Sequence, residues 1–317
     1  TYNTYEDVTI DGKISDEVVR AQAIFVEDGT SVDHFPSDVA GKIVVMTRNT
    51  NTNSMRTQVD NAVNLGAAGV ILQSLTGGRG NLGSTFNPSL SSRYDVPVFG
   101  ASYIHVEWMK EEMAKGPFEI SLTAEHYSNL LSTNVIASKA PKGQAKGKET
   151  KEIIIGAHHD SVVGAPGAND NASGVGLMLE IARVFKSYNT EKELKFIAFG
   201  SEERGLLGSR YYVEQLNQEQ RNNIEAVFVP DMVATNYDKA THLYAMTVNG
   251  SRNLVTDSTT AAGARLGNSD ILPGTFGSSD HVPFHNVGIP AALFIWMGID
   301  SWSPLVYHIE KVYHTSQ

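Results

Sequence analysis

The sequence predicts an α/β protein: a mostly parallel, mixed sheet sandwiched by helices, with a second, smaller α/β module ahead of it. Beyond about residue 150, continuous apolar runs alternate with helix-periodic runs, the pattern of strands buried on both faces. A shorter strand–helix series occupies 41 to 113. The 317 residues also exceed the size at which one core usually stops growing, so two domains are expected.

The elements follow in order. "GKIVVMTRN" (41–49) reads as a strand, and "SMRTQVDNAVNLGAAGVILQSL" (54–75) as a helix and a second strand. In that helix Val59, Ala62 and Val63 keep the helical spacing and Gly66 supplies the stop. "YDVPVFGASYIHVEWMKEEM" (94–113) repeats strand then helix, which completes a module of about 100 residues with no catalytic-looking cluster of His or carboxylates. "ASKAPKGQAKGKETKE" (137–152), rich in Lys, Gly and Ala, reads as an exposed hairpin or loop. Then come a strand at "EIIIGAHHD" (152–160), a helix at "GVGLMLEIARVFKSY" (174–188), a strand at "ELKFIAFGSEE" (193–203) and a helix at "GLLGSRYYVEQL" (205–216). "AVFVPDMV" (226–233) and "AALFIWMG" (291–298) add two more strands.

Composition removes several function classes. With 35 acidic against 25 basic side chains the net charge is -10, which repels phosphate backbones, so no nucleic-acid partner is expected. No run of about 18 apolar residues is present to cross a bilayer, so no membrane partner is expected. There is no cysteine, and any metal must be held by His, Asp and Glu. The start at Thr1, with no signal-peptide pattern, suits a mature or trimmed product. Oligomeric state is not legible.

In sheets of this type, ligands sit beyond the carboxyl ends of the strands. Three strands here end in metal-capable residues: His158, His159 and Asp160 on the first, Glu202 and Glu203 on the second, Asp231 on the third. Asp170, in the loop "GANDNASGVG" (167–176), and His314, in the closing "VYHTSQ", add to them. Each has a bland reading alone: Asp170 as a helix cap, the Glu pair as helix-start charges, Asp231 as a turn acid, His314 as a surface residue. Together they repeatedly end apolar strands in acids whose burial would be costly without a shared cation. His158 and Asp160 stand two apart on an extended segment and project to one side, which suits His158 as ligand and Asp160 as the carboxylate that takes its other ring N–H. His159 then packs or hydrogen-bonds in the interior. Glu202 and Glu203 cannot both face one metal from a regular strand, but one can ligate while the other holds a proton.

"GAHHDSV", "GANDNASGVG", "FGSEERGLLGS", "PDM", "SSDHVPF" and "YHTS" resemble, in order and form, the co-catalytic double-zinc aminopeptidases, which have a zinc-dependent exopeptidase fold. The resemblance spans about 131 to 317, and 41 to 113 resembles the protease-associated domain inserted in many members. It implies residues 1–20 leading into the insert, a protease-associated domain over 21–122 and a catalytic zinc peptidase domain over 123–317. It implies two Zn2+ per chain: one on His158 and Asp231, the other on Glu203 and His314, with Asp170 bridging. Glu202 is then the general base for a metal-activated water. Tyr313, where members often carry an oxyanion donor, either steadies the oxyanion or is an ordinary buried aromatic. Ser279, Asp280 and Phe284 fall in a segment like one near the family's substrate pocket. Peptides with a free N-terminus are the expected substrates, and secretion the expected location. Members commonly carry sequence before the insert and beyond "YHTS", so a chain trimmed at both ends is expected.

The rival readings are a carboxypeptidase of the same bimetal fold, a glutaminyl cyclase relative and a metal-free receptor or scaffold. The first needs a cation for a substrate carboxylate, and Lys239 and Arg265 offer one without obvious focus. The second works with one zinc, whereas both ligand sets are present. The third should show broken ligands. His-Glu-x-x-His and Gly-x-Ser-x-Gly are absent, which removes zincins and serine hydrolases.

Overall fold

The computed structural model describes residues 8–11, 18–75, 86, 88, 94–123, 130–142, 150–162, 165–303 and 305–314. The chain divides into two compact units that meet in sequence at Leu130 and Leu131.

The first unit contains β1 (Val8–Asp11), β2 (Val19–Val26), β3 (Ile43–Thr47), α1 (Thr52–Asn64), β4 (Gly69–Gln73), β5 (Val98–Ala101), α2 (Tyr103–Lys115) and β6 (Glu119–Leu122). Its sheet runs β1-β5-β4-β3-β2-β6, parallel from β2 to β5 and antiparallel at both edges. Alternation along β3 explains why the strand is apolar throughout. Val44 and Met46 pack on one face with Met55, Val59 and Ala62 of α1, while Ile43 and Val45 pack on the other with Val106 and Met109 of α2. α1 begins where the Asn51 side chain accepts from the amides of Asn53 (2.9 Å) and Ser54 (3.2 Å). Among the described residues, no metal-capable group of His and acids lies in this unit.

The second unit contains β7 (Val135–Lys139), β8 (Glu152–His158), α3 (Ala172–Phe185), β9 (Glu193–Phe199), α4 (Leu207–Gln215), α5 (Gln218–Asn223) and β10 (Ile224–Pro230). After these come β11 (His242–Thr247), α6 (Leu254–Arg265), β12 (Ile271–Thr275), α7 (His281–Asn286), β13 (Ala291–Trp302) and β14 (Leu305–His308). The strand order is β12-β11-β13-β10-β8-β9-β7, with β14 folded back on β13. β9, β8, β10 and β13 are parallel, while β7 and β11 join antiparallel. Ile154 and Ile155 of β8 serve opposite cores, one with α4 and α7, the other with Met178 of α3.

Two departures from the sequence reading concern the elements and the core. Residues 137–152 are not a hairpin: β7 pairs with β9, Val135 opposite Ala198 and Lys139 opposite Leu194, rather than with the strand that follows it, and 143–149 lie outside the described residues. An exposed edge strand carries no two-sided apolar pattern, so its sequence reads as loop. Phe284, read as a pocket residue, belongs to the core, with no exposed surface and its ring 6.1 Å from Phe199 and 6.0 Å from Tyr212. Phe284→Ala should therefore destabilise the unit by about 3–5 kcal/mol. Denaturant melts of the two proteins measure this, and a loss below about 1 kcal/mol would contradict the core assignment.

Candidate metal centre

The ends of three adjacent parallel strands, β9, β8 and β10, lie side by side, and each is followed at once by ligand-type residues. His158 closes β8 and is 1% exposed. Its Nε2 lies 3.1 Å from Asp170 Oδ1 and 3.4 Å from Asp231 Oδ1. His314 Nε2 lies 3.0 Å from the other oxygen of Asp170 and 3.3 Å from Glu203 Oε2. The Asp170 carboxylate thus turns one oxygen to each imidazole. Two groups result, His158–Asp170–Asp231 and Asp170–Glu203–His314, with ligand atoms within 4.8 Å of one another. His158, Glu202 and Glu203 form a third. Glu203 Oε1 and Asp231 Oδ1 are buried without a hydrogen-bond partner, and among the described residues no Lys or Arg is ion-paired to the cluster. Imidazole nitrogens and carboxylate oxygens around orphaned buried acid atoms fit a zinc-type cation.

Local chemistry explains how the loops hold their shape. The N-cap of α3 is Asn171, not Asp170, so the capping reading of the acid fails. Asn171 Oδ1 accepts from Gly174 N (2.9 Å) and Met232 N (3.3 Å), and its Nδ2 donates to Pro230 O (3.0 Å). One amide therefore brackets Asp231 from both chain neighbours while starting the helix behind Asp170. Gly174 makes room for this, because a Cβ there would stand 2.3 Å from both Asn171 Oδ1 and Pro230 O. Ser279 Oγ donates to Asp231 Oδ2 at 2.8 Å.

The acids after β9 lie in a turn, not on the strand, so the strand restriction does not apply and both carboxylates reach the same region. Asp160 holds that turn: its Oδ1 accepts from Glu202 N at 2.9 Å and its Oδ2 from Glu203 N at 3.2 Å. The ring N–H expected to bond the Asp160 carboxylate goes instead to its backbone carbonyl, 3.0 Å from His158 Nδ1, with the carboxylate at 3.6 Å. The extended segment ends at His158, which removes the two-residue alternation behind the expectation. Ser201 (φ 56°) and Leu206 (φ 62°) adopt left-handed backbone in the turn, at a cost on the order of 1–3 kcal/mol each.

Residues 134–317 match peptidase family M28. The chain belongs to that family. Residues 14–109 match the PA domain, which here precedes the M28 domain. Similar proteins include aminopeptidase YwaD of Bacillus subtilis, 37% identical over 284 residues, covering 89% of this chain and 58% of that protein. An aminopeptidase of Pseudomonas aeruginosa is 30% identical over 243 residues, covering 73% of this chain and 43% of that protein. The chain thus spans about half the length of these two relatives. Among solved structures, BSAP, a zinc aminopeptidase from Bacillus subtilis, is similar with TM-score 0.82 and 34% identity over 98% of this chain and 72% of that one. The aminopeptidase from Aneurinibacillus sp. strain AM-1 follows with TM-score 0.62 and 34% identity, covering 98% and 74%.

Within this M28 domain, His158, Asp170, Glu202, Glu203, Asp231 and His314 come together. Tyr313 is beside them, its ring stacked on His314 with centroids 3.7 Å apart and its edge against the core cluster that includes Met232. Ser279 and Asp280 are fully buried rather than pocket-lining: the first orients Asp231, and neither oxygen of the second has a hydrogen-bond partner. His159 is exposed, not interior, and its Nε2 meets Thr133 O at 3.0 Å. Asn169 and Asn171 flank Asp170 in the sequence. Their amides, each able to donate and accept, were the available sign of a bracketing role.

Burial, with Asp231, Asp280 and Glu203 nearby, pushes Glu202 up to about 9. Burial likewise pushes Asp280 up to about 7. Burial opposes the His314 charge, but Asp170 and Glu203 outweigh it and hold the ring at about 9. Burial opposes the Asp170 charge too, and His158 and His314 bring it down to about 2. The folded values of His314 and Glu202 lie above their ordinary 6.5 and 4.5, so their contributions to stability fade as pH rises through about 9. Asp170 acts oppositely, but only below its ordinary 3.8. The Tm of chelator-treated protein should accordingly fall between about pH 5 and pH 9, and a flat or rising Tm in thermal melts would contradict this.

Proposed function

We propose that the chain works as a metallo-aminopeptidase that removes the N-terminal residue of peptides, with a water activated by two zinc ions and Glu202 as general base. The supporting observation is the split of the Asp170 carboxylate, one oxygen 3.1 Å from the His158 imidazole and the other 3.0 Å from that of His314. It divides the donors into two sets of equal make-up. His158 and Asp231 would hold one zinc, Glu203 and His314 the other, with Asp170 between. Bound there, the pair would lower the pKa of a shared water and polarise the scissile carbonyl.

The remaining work falls to the chain. Glu202 belongs to neither set yet stands beside His158 and Glu203, where a carboxylate left free of a cation could take a proton from water and deliver it to the leaving amine. Tyr313 would donate to the developing oxyanion. Asp160 acts indirectly, holding the turn that carries both glutamates. An amino-terminal rather than carboxy-terminal preference is supported by charge: the cluster is rich in carboxylates, and among the described residues no Lys or Arg is ion-paired to it. The names of the relatives point the same way. Both ligand sets and all five ligands are present, which speaks against a one-zinc cyclase or a receptor. The proposal includes a protease-associated domain over 21–122, a catalytic domain over 123–317, and secretion. Among the described residues no helix is long and apolar enough to cross a membrane.

Glu202→Gln should keep its metal by elemental analysis yet lose about 100- to 10,000-fold in turnover, because the base goes and the ligands stay. Asp170→Ala should lose metal and turnover together. An amino-acyl chromogenic amide should be cleaved and its N-acetylated twin left intact. Cleavage of the acetylated compound, or release from the carboxyl end, would move the assignment to the carboxypeptidase reading.

A further inference from the structure

We propose that Asn134 is a positioning residue for the Glu202–Glu203 turn, closing it at both ends and so setting where the two carboxylates stand. The proposal rests on the roles given above to Glu202 and Glu203. Asn134 lies just before β7, outside every metal-capable group. Its Oδ1 accepts from Gly200 N at 3.1 Å, the first residue past β9, and its Nδ2 donates to Gly208 O at 2.8 Å, in the first turn of α4. The chain between these contacts carries both glutamates and the left-handed Ser201, Gly205 (φ 100°) and Leu206.

Within the turn, Gly205 N and Leu206 N donate to Glu202 O at 2.9 and 2.8 Å and Leu207 N to Ser201 O at 3.0 Å, which shapes the loop but leaves its two ends and the amides of both glutamates to side chains. Asp160 grips its middle through the amides of Glu202 and Glu203, and Asn134 grips its two ends. A carboxamide offers an acceptor and a donor on two separate atoms of one short side chain, so aspartate loses the second bond and alanine both. The crossing is built for it: a Cβ on Gly208 would stand 2.4 Å from both Asn134 Oδ1 and Gly200 O. The anchoring segment is itself tied next to the cluster, since Thr133 O meets the His159 ring and His159 N donates to Phe199 O at 2.9 Å. Released at its ends, the turn can relax its left-handed residues, and displacements of about 1 Å in a catalytic group cost about 100-fold in rate.

The test uses the full chain carrying Asn134→Ala, Asn134→Asp, Glu202→Gln and the Asn134→Ala/Glu202→Gln double substitution. Asn134→Ala should bind the same amount of zinc, keep KM within about twofold and lose about 10- to 100-fold in kcat. In the Glu202→Gln background it should cost under about twofold more, because the base it positions is already gone. In metal-free protein, amide exchange should speed up across 200–208 and stay unchanged elsewhere. A kcat within about twofold of the parent, full additivity with Glu202→Gln, or exchange raised throughout the unit would overturn the proposal. Should Glu202→Gln itself keep full turnover, the general-base reading fails, and unchanged protection at 200–208 in Asn134→Ala then decides against the clamp independently. If the alanine variant does not fold, Asn134→Asp, which keeps the Gly200 bond and loses the Gly208 bond, carries the same expectations.

Discussion

Four carboxylates and two imidazoles drawn together, most of them buried or half-buried, with no Lys or Arg ion-paired to them among the described residues, form the constraint on which the second unit depends. In a medium of low dielectric such a group repels itself unless protons or cations are shared. Burial with acidic neighbours raises Glu202, while Asp170 and His314, facing each other, are held below and above their ordinary values. The parallel strands contribute by bringing three chain ends to one edge, so that residues 44 to 73 apart in sequence become neighbours.

Holding those residues still is the work of side-chain hydrogen bonds to backbone rather than of regular secondary structure. Asn171 brackets Asp231 and starts α3, Ser279 orients the second oxygen of Asp231, and Asp160 gathers the two glutamate amides. Each is a short polar side chain that satisfies buried backbone groups and fixes a loop in the same act. The left-handed residues at Ser201, Leu206 and Met232 concentrate where these bonds are densest, consistent with strain confined to a functional turn.

The PA unit follows simpler rules. Its four central parallel strands are apolar on both faces, and one helix covers each face. Two buried amides there are satisfied locally: the Gln58 amide bonds the carbonyls of Thr47 and Asp28, and Gln73 joins Thr47 to Glu107. These networks serve packing and turn closure, and the ligand-type clusters stay with the M28 domain.

Much was legible in the sequence because it depends on local pattern. Apolar runs and their spacing identified the central strands, α1 to α4 and the two-part organisation, and acids placed at strand ends identified the residues of the centre. Elements with little burial, such as β7 and β14, were not legible, since exposed strands of four or five residues leave little periodic signal. Roles within the centre were decided only by the fold. Ser279, Asp280 and Phe284 adjoin in sequence or lie one helical turn apart, yet one orients a carboxylate, one is buried with no partner and one fills an aromatic core. Asp160 was visible as a carboxylate two residues from His158, but its two nearest amide donors come from residues 202 and 203. The sequence by itself determined which chemical groups are present and on which strand ends they ride. Which atom each of them faces was left to tertiary structure, because a hydrogen bond is decided by distance and angle to a partner that the chain brings in from far away.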